Sequence, residues 1–305
     1  MAIFPSLHKG KAPYVAYTAL FSYICLAICR LLYVTLPTPD SLIDWLIPLE
    51  LIIFLLPAAV YLFFKQEKPS TAQLYLTPPK AHHIPLTVTA VLALTLGGLL
   101  MTIVLCGSGL SPNRFILYDT FSTHKSHLAY IVIAHALLPA VCEELLFRSL
   151  LCGEYQRHGA LIATLVTALL FGMLHFNIQM LPLFVVSGIV LSLVTYATRS
   201  VAVAMIVHFI YNLFCIFVQP YLIAFYINTV SPGLFIMLCA VLFLASAALF
   251  CLFASRIYAQ LHMQGAKPQS ADQATQNPIT ELKQAVISLP LILCVVIFVA
   301  VVIIF

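Results

Sequence analysis

The chain has 305 residues, of which 63% are hydrophobic and only 8% are Asp, Glu, Lys or Arg. A soluble domain carries about 25% charged residues, so this composition excludes a soluble enzyme and a disordered chain and requires a lipid environment. The formal net charge of +4 is small and spread along the chain, so no nucleic-acid partner is expected.

The apolar runs predict about nine membrane-spanning helices, and therefore an all-α, polytopic membrane helix bundle. A helix that crosses the hydrocarbon core needs about 20 apolar residues, so the short sixth run is either a span or a buried, tilted segment. Residues 220–230 are too short to cross; they either lie at the membrane surface or extend the seventh helix. The predicted spans cover residues 15–36, 43–64, 84–106, 130–155, 159–180, 181–198, 199–219, 233–255 and 285–305.

Positive charges are unevenly distributed between the two sides of this predicted bundle. With the N-terminus in the cytoplasm, eleven Lys and Arg residues fall in inner segments and two, Arg114 and Lys125, fall in outer loops. This bias favours a cytoplasmic N-terminus and a C-terminus on the opposite side. The first span follows Lys9 and Lys11 without a clear cleavage site, so we interpret it as an anchor. The Gln-rich segment 259–284 is predicted to be a flexible linker.

We divide the chain into residues 1–125 with three spans, residues 126–219 with four, and residues 220–305 with the last two. A charge at the bilayer centre costs about 2.5–3.5 kcal/mol on insertion scales, so ionisable residues inside spans are functional candidates. Arg30 and Glu50 lie at similar depths in the first two spans. They predict a structural ion pair, with a proton or ion path as the alternative.

The fourth predicted span contains two adjacent carboxylates, Glu143 and Glu144, followed by Arg148. Glu144 and Arg148 are four residues apart on one helix face and can form an ion pair. Glu143 lies about 100° away around the helix and faces elsewhere. An unpaired carboxylate in a low-dielectric environment suits a general base, so Glu143 is the candidate for that role.

Two further helices carry His residues at depths comparable with Glu143. The fifth span ends near His175, and the seventh contains His208 with Asn212 four residues later. Glu and His together can activate a water, and a second His with Asn can donate hydrogen bonds to an oxyanion. Glu143, His175 and His208 can alternatively hold a zinc ion with one open position. The sequence leaves both mechanisms open.

Three short motifs occur in order on separate apolar helices. Together they resemble the CPBP intramembrane proteases, also called the Abi or type II CAAX prenyl endopeptidase family, over about residues 126–218. The resemblance implies a cytosol-facing polar cavity within a helix bundle and hydrolysis of a peptide bond. The motifs are Glu143-Glu144-x-x-x-Arg148, Phe171-x-x-x-His175 and His208-x-x-x-Asn212.

The resemblance also implies a role for each motif residue. Glu143 and His175 activate the water, and His208 and Asn212 stabilise the oxyanion. Members of the family are described both as metalloproteases and as glutamate proteases, so Zn²⁺ is a candidate cofactor held by the same Glu and His residues. The residues with supporting roles are Glu144, Arg148 and Phe171.

The implied substrate is a membrane-associated peptide or protein, and the sequence leaves open whether it is prenylated. The compact loops favour a bacterial cytoplasmic membrane, with the active site opening to the cytosol. Two other classes fit the same residues: a proton-coupled transporter that uses the buried Glu and His as a relay, and a non-catalytic immunity or scaffold protein on the same fold. A haem protein with His175 and His208 as axial ligands is a third alternative.

Overall fold

The computed structural model describes residues 14–35, 45–65, 74–107, 128–263 and 278–304, and within these ranges the regular structure is helical. The helices are α1 (Ala16–Thr35), α2 (Leu46–Phe64), α3 (Ile84–Gly107), α4 (Leu128–His158), α5 (Ala160–Met173), α6 (Leu181–Thr198), α7 (Val201–Phe217), α8 (Gln219–Asn228), α9 (Pro232–Met263), α10 (Pro278–Val286) and α11 (Leu289–Ile304).

The helices form the polytopic membrane bundle that the composition predicts. Five of them, α2, α3, α4, α6 and α9, are long and apolar enough to cross a membrane. The pair α7 and α8, joined by a 45° bend, makes a sixth. The other three predicted spans coincide with the shorter apolar helices α1, α5 and α11. In the described part of the chain, five or six helices are therefore long enough to cross, and a shorter apolar helix occupies each of the three other predicted positions.

The sequence predicted that residues 220–230 either extend helix α7 or lie at the membrane surface. The apolar segment after it is helical, and Pro220 lies in the first turn of α8. Proline has no N–H to donate to the preceding turn, so a continuous helix through this point would lose a hydrogen bond. The bend at Val218 accommodates that loss, and α8 continues α7 in a new direction.

The predicted linker 259–284 is partly helical, which corrects that prediction at both of its ends. Helix α9 continues to Met263, and α10 begins at Pro278. Residues 264–277 lie outside the described residues. The linker was predicted from the polarity of this segment. However, Gln, Ala and Leu at the end of α9 are good helix formers even where they are no longer buried.

Three stretches of the bundle are π-helical, and prolines account for two of them. The π turns Leu51–Leu55 and Ile133–Leu137 directly precede Pro57 and Pro139. A proline ring clashes with the carbonyl four residues earlier, and a wider turn relieves that clash. The third stretch, Leu145–Leu151, contains no proline and begins directly after Glu144.

Loops that the charge distribution assigns to one side of the membrane lie together in the structure. Lys65 at the end of α2 forms an ion pair with Glu154 near the end of α4. The turn between α6 and α7 is hydrogen-bonded to the segment before α3, since Val201 N donates to Tyr75 O over 2.8 Å. These contacts place the ends of α2, α4 and α6 and the start of α3 at one face of the bundle.

Helices α5 and α6 pack closely at Gly188. A Cβ added there would lie 2.8 Å from the Cα and 2.9 Å from the Cβ of Ala168, closer than such atoms approach in folded proteins. The backbone of α5 therefore requires glycine at this position, as in other close contacts between membrane helices.

We expect Gly188→Val to destabilise the protein by about 1–3 kcal/mol, because α5 must move away from α6. The matched control is Gly233→Val, since an added Cβ at Gly233 meets nothing within 4 Å. Thermal unfolding in one detergent measures both variants. Equal unfolding temperatures for the two would contradict the close packing.

Candidate active site

The carboxylate of Glu144 lies between two basic side chains. Arg148 Nε is 3.2 Å from its Oε2, and His208 Nδ1 is 2.9 Å from its Oε1. The contact with Arg148 is an ion pair whose alignment is not that of a hydrogen bond. Glu144 and Arg148 are essentially inaccessible to solvent. Glu144 therefore joins the α4 motif to α7, a contact that helix periodicity alone did not predict.

The ring of Phe171 is the common neighbour of the three motifs. It makes edge-on contacts with His175 and His208, with ring centroids 5.1 and 5.9 Å apart. The guanidinium carbon of Arg148 lies 4.2 Å from the Phe171 ring centroid, in range of a cation–π interaction. Residues from α4, α7 and the end of α5 thus meet around one aromatic ring.

His175 lies in the turn after α5 rather than inside a span that runs to residue 180. Helix α5 ends at Met173, and Phe176 adopts a left-handed conformation with φ of 47°. Such a conformation is strained for a residue other than glycine, and it turns the chain out of the helix. The side-chain oxygen of Asn177 then accepts the Met180 N–H over 3.0 Å at the start of α6.

The imidazole of His175 is held in one orientation. Its Nδ1 is 2.9 Å from the carbonyl oxygen of Phe171. A carbonyl only accepts, so Nδ1 carries the hydrogen and Nε2 of the neutral ring is the acceptor atom. The ring also stacks on Phe184 of α6, with centroids 4.0 Å apart and planes inclined by 17°. Phe184 is a site residue that the motifs did not identify.

Glu143 is buried in α4, with 8% of its surface exposed. Its Oε2 has no hydrogen-bond partner among the described residues, and the same holds for Oε1 of Glu50. The two carboxylates interact electrostatically across the contact between α2 and α4. The joint action of Glu143 and His175 on a water therefore stays a prediction.

Glu50 has a neighbour that the predicted pairing with Arg30 did not include. The first turn of α2, Leu46–Glu50, packs against α4, whereas α1 packs against later parts of α2. The predicted pairing of Glu50 with Arg30 stays a prediction.

Asn212 lies one turn after His208 on α7 and contacts α4. Its Nδ2 is 3.5 Å from the carbonyl oxygen of Ala136, which belongs to the π turn Ile133–Leu137. His208 and Asn212 therefore both face the helix that carries Glu143. This arrangement agrees with their spacing of four residues, which puts them on one face of α7.

The zinc hypothesis requires Glu143, His175 and His208 to converge on one point. Within the described residues, no three His, Cys, Asp or Glu side chains are grouped as ligands of one metal ion. The Nδ1 atoms of the two His residues are hydrogen-bonded to Phe171 O and Glu144, so only their Nε2 atoms remain as possible ligands. The predicted zinc ligands are therefore not assembled in this arrangement of side chains.

Comparison with known proteins gives two matches. Residues 125–214 match the family described as "Type II CAAX prenyl endopeptidase Rce1-like". The chain is also 26% identical over 184 residues to the "Membrane-embedded CAAX protease MroQ" of Staphylococcus aureus (strain USA300), which covers 56% of this chain and 73% of that protein. No solved structure matches the chain. The family match spans the region in which all three motifs lie.

Proposed function

We propose that the chain is an intramembrane endopeptidase that hydrolyses a peptide bond of a membrane-associated substrate, because the region that carries the site matches the Rce1-like type II CAAX prenyl endopeptidase family. The family match supports a protease, and the apolar helices support an integral membrane protein. The observation that carries the proposal is the contact of Phe171 with His175, His208 and Arg148, since it draws the three motifs to one place.

Water activation is assigned to Glu143 and His175. In this mechanism the Glu143 carboxylate accepts a proton from water while His175 Nε2 orients the water as a hydrogen-bond acceptor. The water oxygen bonds to the carbonyl carbon of the substrate. Glu143 then gives its proton to the amide nitrogen, the C–N bond breaks, and the products are a carboxylic acid and an amine.

Stabilisation of the tetrahedral intermediate is assigned to His208 and Asn212. Glu144 accepts the Nδ1 hydrogen of His208. This hydrogen bond fixes the imidazole and directs its Nε2 away from the Glu144–Arg148 ion pair. In its protonated form His208 offers Nε2–H to the oxyanion, and Asn212 offers an amide N–H. Arg148 pairs with Glu144 and holds its carboxylate in place, so the role of Arg148 is positioning.

A panel of fluorogenic C-terminal peptides tests this function. Purified protein in liposomes is incubated with prenylated and bare peptides, with and without a chelator, and Glu143→Gln serves as the inactive variant. Cleavage by the wild-type protein alone supports the protease. Cleavage restricted to prenylated peptides identifies a CAAX-type substrate, and a chelator effect that added zinc reverses supports a metal. Failure to cleave any membrane-associated substrate would contradict the proposal.

We expect Asn212→Ala to lower kcat by about 10²–10³-fold with little change in KM, because one oxyanion donor is removed from the transition state only. The matched control is Asn228→Ala, whose amide bonds to Ala224 within its own exposed helix. Steady-state kinetics on the best peptide of the panel measures both. An unchanged kcat for Asn212→Ala would remove this residue from the oxyanion site.

A proton-coupled transporter is the second candidate, and two observations favour it. The buried Glu143 interacts electrostatically with the partly buried Glu50, and the bend between α7 and α8 is a broken helix of the kind found in transporters. Proton flux in liposomes that contain a pH-sensitive dye separates the two functions. Flux that Glu50→Gln removes, in a protein without peptidase activity, would favour the transporter.

A further inference from the structure

Two adjoining cavities lie where α6 ends and α3 begins, away from the site described above. The first, here called the basic cavity, has a volume of about 750 Å³ and is lined by Lys80, His82, His83 and Arg199 together with residues of α6 and α9. The second, here called the apolar groove, has a volume of about 480 Å³ and lies between α5, α6 and α9. Arg199 and Ala197 line both, so the two cavities meet at these residues.

The basic cavity has the charge of an anion-binding site. Lys80 and the two His residues belong to the turn that leads into α3, and Arg199 belongs to the turn that ends α6. The described residues that line the cavity include no Asp or Glu. Lys80 and Arg199 supply the positive charge, and a concave surface lined by charges of one sign concentrates counter-ions, so this cavity attracts an anionic group.

Arg199 is held in a fixed position. It adopts a left-handed conformation with φ of 56°, and its carbonyl accepts a hydrogen bond from the Thr77 hydroxyl. The neighbouring Ser200 hydroxyl donates to Thr77 O over 2.6 Å, and the guanidinium lies 5.9 Å from the Tyr75 ring centroid. Such a conformation persists only when surrounding contacts impose it, so the backbone of Arg199 is fixed at the junction of the two cavities and its guanidinium lies beside Tyr75.

The apolar groove runs from Arg199 toward the membrane interior. Leu193 and Ile189 line it six and ten residues before Arg199 on α6, which places them about 9 and 15 Å along that helix. On the facing helix α5, Leu161 and Leu165 line the groove and are both exposed. The groove therefore offers an apolar channel that begins at the ends of the spans and continues into the hydrocarbon layer.

We propose that these cavities together bind an anionic phospholipid, with its phosphate in the basic cavity and one acyl chain in the apolar groove. The candidate spans begin at Ala81 and end at Thr198 and Gln260, so the basic cavity lies at the depth of lipid headgroups. A lipid matches both parts, because it joins a negative charge at the interface to a long apolar chain below it. The proposal does not depend on the protease activity.

Native mass spectrometry of the delipidated, detergent-solubilised protein tests this site. We expect phosphatidylglycerol to bind more tightly than phosphatidylcholine of the same chain length. Lys80→Gln and Arg199→Gln should each weaken phosphatidylglycerol binding about fivefold. The matched control is Arg256→Gln, which removes the same charge from an exposed position of α9 that lines neither cavity and should change binding by less than about twofold. Equal weakening by all three variants would overturn the site, since it would indicate general surface charge.

Two further measurements distinguish binding of a lipid from binding of a soluble anion. Leu193→Trp fills the groove from an exposed position and should weaken phosphatidylglycerol binding without altering the basic cavity. Glycerol 3-phosphate, which carries the charge without the chains, should fail to displace the lipid at equal concentration. Full displacement by glycerol 3-phosphate, or unchanged lipid binding in Leu193→Trp, would overturn the lipid assignment. Unfolding temperatures confirm that each variant is folded.

Discussion

Replacing Glu143 by Gln is expected to lower the rate of peptide hydrolysis by about 10²–10⁴-fold, because the amide keeps the shape of the side chain but cannot accept the proton of the attacking water. Folding should be retained or improved. The Oε2 atom of Glu143 has no hydrogen-bond partner among the described residues, and Glu50 is a neighbour of like charge. A neutral side chain at this position is less costly to bury.

The matched control for this variant is Glu154→Gln. Glu154 is on the same helix, but its carboxylate pairs with Lys65 at the end of the bundle and not with the motif residues. Turnover of this control should stay within about twofold of wild type, and its stability should fall slightly, as for other partly exposed ion pairs. Normal turnover by folded Glu143→Gln would show that another group, with His175 the first candidate, is the base.

Glu144→Ala is expected to produce the largest loss of stability of any single substitution in the site. It leaves the guanidinium of Arg148, which is 1% exposed, without its carboxylate, and it removes the acceptor for His208 Nδ1. Removing one partner of a buried ion pair typically costs about 3–5 kcal/mol. The folded yield and the unfolding temperature in detergent should both fall, and hydrolysis should be lost with them.

A double substitution distinguishes the buried charge from the catalytic role of this pair. Glu144→Leu combined with Arg148→Met replaces both charges by apolar groups of similar size, which is often neutral for stability. We expect the double variant to regain most of the unfolding temperature but not the activity, because His208 remains without its positioning partner. Wild-type stability in the single Glu144→Ala variant would contradict the view that Glu144 stabilises the bundle by pairing with Arg148 within α4 and with His208 of α7.

The sequence motifs identified the family region closely, since residues 126–218 resemble the CPBP proteases and residues 125–214 match the family. The spacing of the motif residues also predicted the ion pair between Glu144 and Arg148. That contact forms within one helix, and four residues of spacing fix it whatever surrounds the helix. The proposed roles in water activation and oxyanion binding stay predictions until the variants are assayed.

Helix periodicity in the sequence could not predict contacts between distant parts of the chain. His208 binds a carboxylate 64 residues earlier in the chain, and Glu50 interacts electrostatically with Glu143, a contact that was not predicted. The π turn Leu145–Leu151 contains no proline, and the chain leaves α5 at the left-handed Phe176. The apolar runs gave no signal for either of these features.

The sequence by itself determined that this protein is a helical membrane bundle and which of its helices carry ionisable groups. Backbone hydrogen bonds in lipid must be satisfied locally, so long apolar runs become helices in any tertiary setting. Only the tertiary structure decided the lengths of those helices, the partners of Glu50 and Glu144, and the joining of a basic cavity to an apolar groove at Arg199. Those features depend on how helix faces meet, which is a property of the whole bundle rather than of any one segment.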